Sequence, residues 1–335
     1  MAEEDPVKDA IKVPDADAGP VLDVARFHDS ITRTLGKLIV GNRDLIELMF
    51  IALLSEGHIL IEGVPGTAKT TIAKAVARAT NCQFNRIQGA VDLQPADLIG
   101  VRIYDTITRN FSLRKGPIFT NILVADEINR INPKSQSAFI EAMSEAQATI
   151  DGETCRIDKP FLVIATQNPY DLQGTFPLIE AQRDRFMFGL STTHLNPDDE
   201  LNLVRRASGG MLNWDAFSRS VPVDFSKDTL LSLIRTVNTV RIEDPVLAYI
   251  RDIVIATRKN GNIELGASSR ASIAFVRGAR ARAAIQRRSF VLPDDVKKLA
   301  AVILCHRIIL TREAEVENLQ PEDVVKEILE SIEVP

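Results

Sequence analysis

The sequence predicts an α/β fold of doubly wound type, a core on a parallel sheet followed by a smaller all-α domain. Three observations carry this reading. Short, near-continuous apolar runs at His58–Glu62, Asn121–Ala125 and Phe161–Ala165 alternate with helical patterns at Lys69–Ala79 and Ser135–Ala146. Strands apolar on both faces belong to parallel sheets covered by helices on both sides. After Asn196-Pro197 the strand signal stops, and helical periodicities follow at Asp228–Val240, Pro245–Lys259, Ser269–Arg288 and Pro293–Leu304. The length of 335 residues fits two domains at about 150 residues each. The expected division is an acidic, mobile arm over 1–20, the α/β core over 21–196, and a linker with the all-α domain over 197–335.

Composition narrows the class. A hydrophobic fraction of 45% and a charged fraction of 25% exclude a wholly disordered chain or a collagen-like fibre. No apolar run approaches the roughly 18 residues of a membrane span; Leu45–Leu54 is about the longest and carries Glu47. The acidic start MAEEDP has neither the basic nor the apolar part of a signal peptide. Cys82, Cys155 and Cys305 are widely spaced, which predicts reduced thiols and a cytoplasmic protein. The net charge of −5 is uneven: residues 1–20 carry −4, residues 311–335 carry −6, and residues 251–310 carry +8.

The first apolar strand runs into Gly63-Val64-Pro65-Gly66-Thr67-Ala68-Lys69-Thr70, followed by Thr71 and a helical pattern. This is a phosphate-binding loop of the form GxxxxGK[ST] with one departure. Small residues let backbone N–H groups curl around phosphate oxygens, and the helix N-terminus adds partial positive charge. Lys69 is expected to reach the β and γ phosphates of ATP, and the Thr70 hydroxyl to ligate Mg²⁺. Ala68 stands where the motif has glycine, and its methyl narrows the clearance for phosphate.

A second strand, Asn121–Ala125, ends in Asp126 and Glu127. At the C-terminal edge of a parallel sheet, Asp126 can hold Mg²⁺ through water and Glu127 can take a proton from an attacking water. Seen alone, such a pair is also how a strand stops in solvent. The third strand ends at Gln167-Asn168-Pro169. Asn168 there can aim the attacking water without adding charge, although Asn before Pro is also common in turns.

These residues together resemble the AAA+ superfamily, and within it the MoxR family, over roughly residues 22–333. The most specific stretches are Gly116–Asn132, Ser135–Gly152, Ala165–Phe186 and Gly266–Asp295. The resemblance implies a P-loop NTPase core with an all-α lid, ATP hydrolysis, and a homo-oligomeric ring, expected to be hexameric. It identifies Lys69 and Thr70 as the Walker A pair, Asp126 and Glu127 as the Walker B pair, and Asn168 as the sensor-1 residue. Arg185 matches the finger that enters a neighbour's site, with Arg183 competing for that role. Arg270 matches the sensor-2 arginine, and Val40 and Gly41 fall where such proteins contact adenine. Hairpin inserts are implied near Leu98–Arg114 and Ile150–Lys159, where turn chemistry lies between β-branched and apolar residues.

Arg270, Arg277, Arg280, Arg287 and Arg288 fall on one side of a continuous helix, with Arg282 elsewhere. Such a stripe can line a subunit interface, form a solvated face or contact nucleic-acid phosphates. The absence of interleaved aromatics and the acidic net charge argue against nucleic acid. Pro321–Ile332 reads as an amphipathic helix that closes the lid. The resemblance further implies a chaperone that matures or activates protein partners, often ones with a von Willebrand factor A domain. A nucleic-acid remodelling ATPase and a nucleotide-gated scaffold without significant hydrolysis are the alternatives.

Overall fold

A computed structural model of the chain describes residues 19–63, 69–107, 109–168, 174–192, 195–220 and 226–335. The first part contains α1 (Gly19–Leu35), α2 (Arg43–Leu54), β1 (Ile59–Gly63), α3 (Lys69–Ala79), β2 (Phe84–Gln88) and α4 (Pro95–Ile99). The hairpin β3 (Gly100–Asp105) and β4 (Asn110–Lys115) follows, then β5 (Ile122–Asp126) and α5 (Pro133–Glu145). A second hairpin, β6 (Gln147–Ile150) and β7 (Glu153–Arg156), precedes β8 (Leu162–Gln167), α6 (Glu180–Arg183) and β9 (Phe188–Thr192).

Five strands form one sheet in the order β2-β5-β8-β1-β9, every pairing parallel. Alternate strand residues enter different cores, as the two-residue period of a strand demands. Ile59, Ile61, Ile122, Val124 and Ile164 pack with α1, α2 and α3, whereas Leu60, Leu123, Ala125 and Val163 pack with α4 and α5. Burial on both faces explains why β1, β5 and β8 are legible as apolar runs. β2 and β9 carry no such run in the sequence reading. They are the two edge strands, and β2 (FNRIQ) is half-exposed and polar.

The second part contains α7 (Pro197–Ser208), α8 (Trp214–Ser220), α9 (Lys227–Asn238), α10 (Asp244–Lys259), β10 (Ile263–Leu265) and α11 (Ser269–Ile285). α12 (Pro293–Leu304), β11 (Ile309–Leu310), α13 (Arg312–Val316) and α14 (Pro321–Ser331) complete it. The pairing of β10 with β11 corrects the expectation of a strand-free region; both are too short to show a period. The second hairpin spans 147–156 rather than 150–159, because Ala146 in left-handed backbone ends α5 and starts the strand at once. α1 begins at Gly19, inside the stretch expected to be an arm, and residues 1–18 lie outside the described ones.

One apolar cluster runs from the sheet through α1, α2 and α3 into α9, α10, α11, α12 and α14. It crosses the expected boundary at 196. α1 contacts α3 on one side and α9 and α11 on the other, so it fastens the lid to the core.

The arginines of α11 do not make one stripe. The helix ends at Ile285 and Arg287 takes left-handed backbone (φ 63°), which turns the chain away before Arg288. Arg287 pairs with Asp29 of α1 at 3.0 Å, and Arg282 pairs with Glu47 of α2. Arg288 grips buried Asp295 of α12 through two bonds of 2.7 Å, and the same carboxylate accepts the Leu292 N–H. Arg282, placed outside the stripe by the wheel, is thus among the most engaged.

At the N-terminal end of β1, His58 Nδ1 accepts the Val163 N–H at 3.1 Å, so the ring proton sits on Nε2 and is donated to Met143 O at 3.0 Å. Burial pushes this imidazole down to about 4. The unfolded chain therefore binds a proton between pH 6.5 and 4 that the folded chain refuses. Stability is expected to be full above pH 6.5 and to fall by on the order of 3 kcal/mol as pH drops to 4. Denaturant melts across this window should show the loss, and His58→Gln should remove its own share of the slope while leaving that of His306, a second imidazole that burial pushes well down.

Candidate functional site

The C-terminal edge of the sheet gathers the ends of β1, β5 and β8. Lys69 opens α3 directly beyond β1; it is buried and its Nζ donates to Gly63 O at 3.3 Å. Burial pulls the Lys69 ammonium below its ordinary pKa, and the charge of Asp126 works against that pull. The Thr70 hydroxyl donates to Asp126 Oδ2 at 3.2 Å, and Thr166 of β8 donates to Asp126 Oδ1 at 3.2 Å. Two hard-oxygen groups and an ammonium thus stand together at the edge where open α/β sheets bind ligands. Thr71 follows on α3, half-buried. Val64, Pro65, Gly66, Thr67 and Ala68 lie outside the described residues.

Glu127 follows β5 in left-handed backbone (φ 54°), an uncommon conformation for a residue with a Cβ. Its Oε2 accepts from Gln88 Nε2 at 3.0 Å and lies 3.1 Å from Arg130 Nε; its own N–H donates to Thr166 Oγ1. Gly89 makes the close approach possible, because a Cβ there would stand 2.1 Å from Glu127 O. Asn168 directly follows β8, and its carbonyl accepts from Asn129. Val40 and Gly41 line a separate cleft of about 490 Å³ between α1, α2 and α7, with Ile46 and Asp199.

Sequence reading missed Arg86 and Gln88. Arg86 Nε donates to Asp126 at 2.6 Å, and Gln88 reaches Glu127. Both ride on β2, whose register pairs Gln88 with Asp126. Alternation along Phe84–Gln88 is the one sequence signal that could have exposed them.

Arg185 and Arg270 are not brought to this edge. They line a cleft of about 370 Å³ with His58 and Met187, at the N-terminal ends of β1 and β9. A five-residue strand separates the two edges, about 16 Å. Arg185 is exposed, whereas Arg183 sits half-buried with Nη2 3.8 Å from Glu180.

A strand followed in the chain by a helix that opens at a buried lysine, and a parallel strand two places along the sheet ending in paired acids, define a nucleoside-triphosphatase of the AAA class. The AAA family model (ATPase family associated with various cellular activities) matches residues 58–188, and the AAA lid domain model matches 255–328. The chain belongs to this family, in its MoxR-type branch, and is an ATPase. It is 37% identical to the chaperone MoxR1 of Mycobacterium tuberculosis over 89% of this chain and 80% of that one. Identity is 40% with the uncharacterised protein YeaC of Bacillus subtilis, over 95% of this chain and 96% of that one. A crystal structure from Cytophaga hutchinsonii, assigned as an ATPase, superposes with a TM-score of 0.87 at 39% identity, covering 94% of this chain and 97% of that one. No helix among the described residues is long and apolar enough to cross a membrane.

Proposed function

We propose that this ATPase works as a hexameric ring in which one subunit holds ATP and the next completes the site, and that hydrolysis drives maturation or remodelling of a protein client. One observation carries the reading: Lys69, Asp126 and Glu127 stand at one edge of the sheet and Arg185 and Arg270 at the other. A single chain cannot close a set split across a strand's length. A neighbour presenting its N-terminal edge can.

In this reading Lys69 neutralises the β and γ phosphates, and the backbone of residues 63–68 cradles them. Val40 and Gly41 border the adenine. Hard oxygens from the Thr70 hydroxyl and the Asp126 carboxylate suit Mg²⁺. When bound, that ion neutralises charge on the phosphate oxygens. Glu127 takes a proton from the attacking water while Asn168 aims it. Arg185 of the neighbour meets the charge that develops on the γ-phosphate, with Arg270 beside it.

A protein client is favoured over nucleic acid because four of the six arginines between residues 270 and 288 are engaged by Asp29, Glu47, Asp184 and Asp295. The β3–β4 hairpin instead exposes Tyr104, Ile107 and Phe111, apolar surface that a polypeptide can cover. Kinship with a chaperone points the same way. A partner carrying a von Willebrand factor A domain is the client class we propose, and the three free thiols suit a cytoplasmic setting.

Turnover per subunit is expected to climb steeply with protein concentration from a nearly inert monomer. ATPase assays run beside native mass measurements test this. Equal turnover in a species shown to be monomeric would overturn the shared site. The Glu127→Gln chain held with ATP serves as bait for the client.

A further inference from the structure

The turn that carries Arg185 is gripped by the lid. Residues 184–187 join α6 to β9, and their N–H groups bond back to α6 and to His58 O. The carbonyls of Asp184, Phe186 and Met187 and the Asp184 carboxylate face toward Arg307. This arginine lies just beyond α12, with its side chain 2% exposed. Its Nε donates to Asp184 Oδ1 at 3.0 Å, and Nη2 donates to Phe186 O at 2.6 Å and Asp184 O at 3.2 Å. Nη1 donates to Met187 O at 3.1 Å and to Ile303 O in the last turn of α12. All five N–H groups of the guanidinium are used, four of them on this one turn.

Neighbouring groups reinforce the grip. His306 Nε2 donates to Phe186 O at 3.1 Å, and its ring lies against Gly189, where a Cβ would come within 2.5 Å. Ser268, the N-cap of α11, donates to Asp184 at 2.8 Å and accepts the Arg270 N–H at 3.0 Å. Asp184 thereby joins the start of α11 and the end of α12 to the residue before Arg185. Arg270 Nε stands 3.7 Å from the same carboxylate.

We propose that Arg307 is a positioning residue for Arg185: it locks the turn Asp184–Met187 to the lid, so that the lid of one subunit sets where its arginine stands in the neighbour's ATP site. This rests on the reading of Arg185 as acting across the interface. Arginine is needed because a lysine ammonium has three donors and no fixed fork, and cannot serve Asp184 and three carbonyls at once. The lid and the arginine it steers then move as one body.

Subunit mixing in the full-length protein tests this. Arg307→Lys is expected to lower kcat about 10- to 100-fold with the KM for ATP within about twofold, since the chain's own phosphate site is untouched. Mixed with an equal amount of Glu127→Gln, it should recover about a quarter of wild-type turnover, because one interface in about four then pairs an intact acid with a well-placed arginine. The control is Arg185→Ala mixed with Glu127→Gln. If that control stays silent, the trans reading fails and this inference fails with it. If the control recovers and the Arg307→Lys mixture does not, Arg307 serves the fold alone. A kcat within twofold of wild type also overturns the proposal. Should Arg307→Lys melt at the assay temperature, Ser268→Ala decides by the same measurements: a kcat loss of about threefold or more, repaired by mixing and absent in Ser268→Thr, supports the lock. No loss, or loss without repair, defeats it.

Discussion

Glu127→Gln is expected to lower ATP turnover by at least about 100-fold while ATP binding stays within a few-fold of wild type. The substitution keeps the shape of the side chain and an oxygen that can still accept from Gln88 Nε2, now 3.0 Å away. What it removes is the capacity to take a proton. Lys69, Thr70 and Asp126 keep their mutual contacts, so the phosphates remain held. Turnover by phosphate release and affinity by nucleotide titration separate the two effects. Unchanged turnover would sink the assignment of Glu127; lost affinity would mean that the side chain helps to hold ATP.

Arg185→Ala should reduce kcat about 1000-fold in the assembled protein, in line with arginines that act on a developing phosphate charge. The same change at Arg183 should leave kcat within a few-fold. The distinction is geometric. Arg183 closes α6, half-buried and 3.8 Å from Glu180, whereas Arg185 projects into the cleft at the exposed edge. Removing Arg183 touches an ion pair worth a fraction of a kcal/mol at a surface. Native mass measurement must show both variants assembling, because a broken ring would mimic a missing charge. The opposite ranking would move the role to Arg183.

The sequence made the interior of the sheet legible and left its edges dark. β1, β5 and β8 are apolar on both faces, so they announce themselves and also mark where Lys69, Asp126 and Asn168 must gather. β2 and β9 face solvent on one side and carry polar residues, so Arg86 and Gln88 went unseen although they touch both acids. The α11 arginines show another limit. A helical wheel orders residues around one axis, but it does not know that Asp29, Glu47 and Asp295 will arrive from other helices to claim them. Arg307 was hidden for the same reason. Four of its five acceptors, three of them backbone carbonyls, lie over 100 residues away in sequence, and no side-chain pattern records them.

The helix α1 gives the molecule a particular mechanical character. Because it packs on α3 and on α9 and α11 within one continuous apolar cluster, core and lid are in unbroken apolar contact along this helix. Helices packed in this way slide past one another by an ångström or two before side chains must jump to new grooves. If the proposed remodelling is right, the stroke along this seam is expected to be short and shear-like, with the β3–β4 hairpin as the lever whose tip magnifies small tilts at its base.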